Sequence, residues 1–180
     1  MGLFGPFTEV REYYPGSKRP DKERMAAKTA ELLAAQIPVI CEAAFMDDKG
    51  NYCATDILRK SETGYEMYEV KNSTEVKEQF IKDAGFQAFI IRNRCHLSLQ
   101  KVFIVYNSGI SESPYEIEDV TKDAFLCANW VADNIDYLGN IKEQPTEVQC
   151  YMGMQCSLPY ECWYADYCRG QQKSCLTEEK

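Results

Sequence analysis

Two apolar runs, residues 37–45 (Ile-Pro-Val-Ile-Cys-Glu-Ala-Ala-Phe) and 52–58 (Tyr-Cys-Ala-Thr-Asp-Ile-Leu), flank the cluster Asp47-Asp48-Lys49-Gly50-Asn51, and no other feature of the chain restricts its fold as tightly. Each run is short and bounded by turn-forming residues, the pattern of a strand. Asp, Asn and Gly favour chain reversal because the first two hydrogen-bond their own backbone and the third adopts left-handed angles without a clash. The two runs are therefore expected to form a hairpin. If Met46 pairs with Tyr52, the register sets Glu42 opposite Asp56. Directly opposed residues share a face, so two like charges would meet inside an apolar ribbon, which is destabilising unless a cation lies between them.

The remaining patterns fit around this hairpin. Met25, Thr29, Leu32 and Leu33 recur at helical spacing, which predicts a helix over about residues 22–35. Residues 65–71 (Tyr-Glu-Met-Tyr-Glu-Val-Lys) read as a third strand. Ser73 or Thr74, with Glu75 in the first turn, would cap a second helix reaching about Asn93. A fourth strand is expected over 97–106, and Thr121 would cap a third helix ending near Gly139. The order predicts an α/β domain: a three-stranded meander, a crossover helix and one more strand in a mixed sheet. Residues 1–20, rich in Gly, Pro and aromatics, read as an irregular lead-in, residues 21–145 as the α/β core, and residues 146–180 as a Cys-rich tail.

Composition narrows the function classes. A chain of 180 residues is long enough for a substantial core. No apolar run approaches the ~18–20 residues of a membrane helix. The start, Met1-Gly2-Leu3-Phe4-Gly5-Pro6, lacks the basic segment and apolar stretch of a signal peptide, so a cytoplasmic location is expected. The net charge of −8 argues against a broad nucleic-acid-coating surface, since non-specific affinity comes mainly from Lys and Arg on phosphates. It leaves room for a small site where a divalent cation supplies the positive charge. Nine cysteines, an odd count without a secretion signal, speak against a disulfide framework. Cys41, Cys53, Cys95 and Cys127 lie in apolar sequence and read as buried thiols, whereas Cys150, Cys156, Cys162, Cys168 and Cys175 crowd the C-terminal end.

The chemistry-bearing residues gather on the hairpin and the third strand. Residues two apart in a strand share a face, so Glu69 and Lys71 point the same way. Asp56 sits in an apolar strand, where an unpaired carboxylate is costly. Gln87 interrupts the helical stripe Phe80, Ala84, Ile91. Hydrolysing a phosphodiester calls for oxygen ligands to a hard cation such as Mg²⁺ and for a positive group near the attacking water or the phosphate. Two carboxylates and a lysine meet that need. Alternating charges on a solvated strand face would produce the same Glu-X-Lys spacing.

Asp56, then Glu69-Val70-Lys71, then Gln87 on the next helix resemble the PD-(D/E)XK nuclease superfamily in its RecB-like branch. Segments 41–45 (Cys-Glu-Ala-Ala-Phe), 54–58 (Ala-Thr-Asp-Ile-Leu), 68–77 (Tyr-Glu-Val-Lys-Asn-Ser-Thr-Glu-Val-Lys), 83–87 (Asp-Ala-Gly-Phe-Gln) and 156–162 (Cys-Ser-Leu-Pro-Tyr-Glu-Cys) are similar to a subgroup related to the CRISPR-associated RecB-like exonucleases. The resemblance implies a restriction-endonuclease-like core and Mg²⁺- or Mn²⁺-dependent cleavage of DNA, in the manner of an exonuclease. Asp56, Glu69 and the Val70 carbonyl would hold the metal, with Glu42 as a further ligand; Lys71 would position water and stabilise charge, and Gln87 would orient substrate. The chain departs from the pattern at three points. The only histidine, His96, lies after the second helix rather than on the first, Ile91 stands where a Tyr is usual, and Thr55 replaces a Pro. A nuclease fold with a degraded site, binding nucleic acid or protein without cleaving, is the alternative.

Cys156, Cys162 and Cys168 are evenly spaced as C-x5-C-x5-C, which suggests either a metal or iron–sulfur site or simply free thiols. The resemblance implies a 4Fe–4S cluster held by these three cysteines and one from an N-terminal region. No cysteine precedes Cys41, so the fourth ligand is unidentified, with Cys150 and Cys175 as candidates. The chain is accordingly expected to be part of a larger polypeptide.

Overall fold

The computed structural model describes residues 4–109, 115–147, 151–158 and 160–175, with residues 171–175 as backbone only. Chain contacts divide it into two compact units, Met1–Asn134 and Ile135–Lys180. The division lies upstream of the boundary near Pro145 read from the sequence.

The first unit is an α/β domain around one six-stranded mixed sheet whose spatial order follows the chain: β1 (Thr8–Glu9), β2 (Val39–Met46), β3 (Tyr52–Lys60), β4 (Tyr65–Lys71), β5 (Leu99–Tyr106) and β6 (Glu116–Asp119). The predicted meander is β2–β3–β4, antiparallel throughout. β4 and β5 run parallel, so a crossover must join them, and α2 (Glu78–Phe89) provides it. β1 pairs parallel to β2, and β6 closes the far edge antiparallel to β5. Neither was expected: β1 has two residues, and Glu-Ile-Glu-Asp in β6 is exposed at every position.

The helices pack on this sheet by their predicted stripes. In α1 (Lys22–Ala34), Met25, Thr29 and Leu32 are buried, and the helix packs against β2. Asp21 caps it by accepting the Arg24 N–H at 3.1 Å. Gln36, at φ 58, ends it: the Gln36 N–H reaches Leu33 O and the Ile37 N–H reaches Leu32 O, a Schellman closure made with Gln in place of Gly. Thr29 also completes the sheet. β1 covers only Ile40 and Cys41 of β2, and further along the strand the Ala44 N–H donates to Thr29 Oγ1 at 2.9 Å.

α2 starts later than expected. Ser73 does not cap it; the Ser73 hydroxyl folds back onto the Glu75 backbone, and Lys77 is the N-cap without a side-chain bond. The helix also ends differently, widening into a π-helix at Ile90–Arg94 in which the Cys95 N–H reaches Ile90 O. Ile90 and Ile91 are fully buried there. α3 (Thr121–Lys142) crosses α2 at Gly85, where an added Cβ would lie 2.6 Å from Cys127 Cβ and 3.0 Å from Ala124 O. Glycine permits that approach.

In the second unit a 3-10 turn at Met154–Cys156 and a fourth helix, α4 (Ala165–Cys175), occupy sequence read only as a cysteine tail. Ala165 is buried, while Trp163 is 98% exposed. Among the described residues no helix is long and apolar enough to cross a membrane.

Candidate functional site

The expected hairpin register holds. Met46 pairs with Tyr52, and Cys41–Ile57 and Ala43–Thr55 bracket the position where Glu42 would pair with Asp56. That rung is absent from the ladder. Glu42 sits at φ 56, a left-handed backbone that a residue with a Cβ rarely adopts. The strand's burial changes phase at the same level: in β3 the buried positions are Cys53 and Thr55 on one side of the break and Leu58 on the other. The next ladder is interrupted at the same level. β3 and β4 pair from Lys60–Tyr65 to Ile57–Tyr68, and the following rung, Asp56–Glu69, is not made. Glu42, Asp56 and Glu69 therefore form one row across three strands, with both ladders broken at that row.

Each carboxylate of the row has its own partner. Glu42, half-buried, accepts from Arg11 Nη2 at 3.4 Å, and Arg11 Nε also pairs with Glu9 at 2.9 Å. Asp56 Oδ2 accepts the Val70 backbone N–H at 2.6 Å, taking the place of the strand that has moved away. Glu69 Oε1 accepts from Lys71 Nζ at 2.9 Å. The two carboxylates expected to oppose each other, Glu42 and Asp56, each have a protein partner of their own. Asp56 and Glu69 are close enough to feel each other's charge, whereas Glu42 is drawn to Arg11. Among the described residues no three His, Cys, Asp or Glu side chains converge as a metal-ligand group.

Glu69 is the most constrained member. It is 8% exposed, and its Oε2 is buried without a hydrogen-bond partner. Burial, then the charge of Asp56, pushes its pKa above the ordinary carboxylate value; Lys71 and Gln87 pull against that shift without cancelling it. Gln87, 4% exposed on α2, lies against Glu69 and favours its charged form through a side-chain hydrogen bond, while Gln87 Oε1 is buried and unpartnered. Thr55 Oγ1 is a third orphaned oxygen. Lys71 is held at two points, by Glu69 and by Asp83 Oδ2 at 2.5 Å, with its ammonium 5.6 Å above the Phe80 ring centre. Burial works against its charge, but Asp83 and Glu69 outweigh it and raise its pKa.

The structure thus brings together Asp56, Glu69, Val70, Lys71 and Gln87 and leaves Glu42 to Arg11. Asp83 was not foreseen, although its position four residues before Gln87 places both on one helical face. Arg11 had no signal beyond its charge in an irregular segment. His96 is exposed after the π-helix. Cys53, buried beside the Gln87 carbonyl at 4.0 Å, has a thiol pushed far up by burial.

In the second unit, Cys156, Cys162 and Cys168 are half-buried and free. The Cys162 N–H donates to Cys156 O, which folds that loop, but the three do not form a metal-ligand group. Cys150 and the side chain of Cys175 lie outside the described residues. The described thiols as placed do not fit a cluster. No model of a known protein family and no curated protein matches the chain.

Proposed function

We propose that the first unit is a metal-dependent nuclease of restriction-endonuclease-like, RecB-related type that hydrolyses phosphodiester bonds of DNA as an exonuclease. One observation carries the reading: a buried carboxylate, Glu69, keeps one oxygen unpartnered beside Asp56 while a two-point-held lysine stands next to it. Unpartnered hard oxygens next to a second carboxylate suit Mg²⁺ or Mn²⁺. Asp56, Glu69 and the Val70 carbonyl would hold that ion. When bound, it would polarise the phosphate and favour deprotonation of the attacking water.

The chain's own residues supply the remainder. Lys71 directs an ammonium N–H toward the charge that develops on phosphate or water. Gln87, from the helix side, orients water or a phosphate oxygen through its amide. Asp56 anchors the Val70 N–H, fixing the backbone whose carbonyl would serve as a ligand. The exonuclease assignment, the DNA substrate and membership of a larger polypeptide come from the sequence resemblance. The test is cleavage of single- and double-stranded DNA oligonucleotides in Mn²⁺ or Mg²⁺. Wild type should cleave at least a hundredfold faster than Lys71→Ala; equal rates would sink the proposal.

A second reading, a nuclease fold that binds nucleic acid or protein without cleaving, is favoured by the diversion of Glu42 to Arg11. Calorimetric titration with Mn²⁺ separates the two, because a binding module without a metal site takes up no stoichiometric ion.

A further inference from the structure

Lys71 Nζ sits between two carboxylates from different elements: Glu69 on β4 at 2.9 Å and Asp83 on α2 at 2.5 Å. An ammonium has three N–H donors in a tetrahedral fan. Two are committed to these oxygens, and the Phe80 ring centre lies 5.6 Å from the nitrogen. One donor is left for a third acceptor. Glu69 alone cannot fix that direction. With one anchor, a four-carbon side chain rotates about the remaining bond and settles onto the carboxylate beside it. The second anchor, coming from a helix rather than the same strand, removes that freedom.

Asp83 is exposed, and its side chain pairs with Lys71 across elements. Its cross-element pair joins the strand carrying the lysine to the helix carrying Gln87, so the two groups that would meet substrate share one mount.

We propose that Asp83 is a positioning residue: together with Glu69 it mounts the Lys71 ammonium so that its third N–H points at a phosphate oxygen of the substrate. This rests on the nuclease reading of the site. A residue that orients a donor acts on the reacting complex, so its loss falls on kcat and leaves KM nearly unchanged.

The experiment combines two readouts on the intact chain, comparing wild type with Asp83→Ala, Asp83→Asn and Asp83→Glu. The first is nitrogen-detected NMR of the Lys71 ammonium in the metal-free protein, assigned with Lys71→Arg. A doubly anchored ammonium exchanges slowly with water and gives a sharp signal. That signal should vanish in Asp83→Ala and persist in Asp83→Asn, which keeps an acceptor oxygen. The second is steady-state cleavage of DNA oligonucleotides in Mn²⁺. Asp83→Ala should lower kcat about tenfold or more with KM within twofold, Asp83→Glu should restore part of the loss, and the melting temperature should stay within a degree or two because Asp83 is exposed. An unaltered ammonium signal or an unaltered kcat in Asp83→Ala overturns the positioning role. If wild type cleaves no DNA in either metal, the nuclease reading fails and the role falls with it. Active wild type with an indifferent Asp83→Ala removes the positioning role alone.

Discussion

Replacing Glu69 with Gln in the metal-free protein should raise stability, although it removes one side of an ion pair. Glu69 buries a carboxylate with one oxygen unpartnered, and a buried charged oxygen without a partner costs about 1–3 kcal/mol. Gln removes the charge and ends the repulsion with Asp56. Against this, the Lys71 bond loses its charge assistance, a loss of about 1 kcal/mol. Lys71 keeps Asp83, so no orphaned ammonium results. The balance is about 1 kcal/mol in favour of Gln, or roughly 3 °C in melting temperature for a unit of this size. The assay is thermal unfolding in EDTA near pH 7. The pH dependence checks the cause. The pKa of Glu69 is raised in the fold, so the folded state holds its proton to higher pH than the unfolded chain does. Its penalty is absent below the ordinary carboxylate range and grows as pH rises through the raised folded value, since stability falls with pH wherever the folded state binds more protons. The advantage of Gln should therefore shrink on acidification. Added Mn²⁺ should reverse the order, because an ion that binds only the folded wild type stabilises it by mass action. A Glu69→Gln protein that is less stable than wild type by more than about 1 kcal/mol in EDTA would refute the reasoning.

Asp56→Ala should cost about 1 kcal/mol in urea unfolding, because the Val70 N–H loses its 2.6 Å acceptor, whereas Asp56→Asn keeps a carbonyl there and should stay within about 0.5 kcal/mol. Both should abolish Mn²⁺ uptake by calorimetry, so equal stability of the pair with unequal uptake would contradict the assignment. Gly85→Ala should be destabilising by about 1 kcal/mol: helix propensity favours Ala by about 1 kcal/mol, but overpacking against Cys127 and Ala124 costs about 1–3 kcal/mol. A variant with a raised urea midpoint would mean that α2 and α3 are not in such close approach.

The parts of the fold set by local pattern were legible. The turn at Asp47 reads directly: its carboxylate accepts the Lys49 and Asn51 N–H groups, and Gly50 takes φ 77. The register followed from that turn, the third strand kept the bounds Tyr65–Lys71, and the parallel β5 followed from the need for a crossover. What failed to show depends on partners remote in sequence. β1 is a strand only because β2 offers an edge, and β6 is polar throughout. The Ser73 cap failed because its hydroxyl found a closer backbone partner at Glu75. At the site, Glu69, Lys71 and Gln87 were readable from spacing on one strand and one helix. The fate of Glu42 was not, because strand alternation assumes a regular backbone, and Glu42 leaves it at the one position where regular pairing would set it against Asp56.

That departure bears on how the row of carboxylates is to be understood. Regular pairing at residues 42, 56 and 69 would need neither a left-handed Glu42 nor a side chain in place of a strand. The chain instead carries three acids at one level and accommodates each differently: Arg11 at Glu42, a backbone N–H at Asp56, Lys71 at Glu69. A left-handed non-glycine residue costs of order 1–3 kcal/mol, and the orphaned Glu69 oxygen adds a similar amount. A cost of that size at one row is more than a packed strand requires. Two of these accommodations also differ in kind. Arg11 answers Glu42 with an exposed, movable cation, whereas Lys71 answers Glu69 while itself held from α2. Only the second fixes its cation from two elements, which is why the proposed nuclease site is drawn at the Asp56–Glu69–Lys71 end of the row.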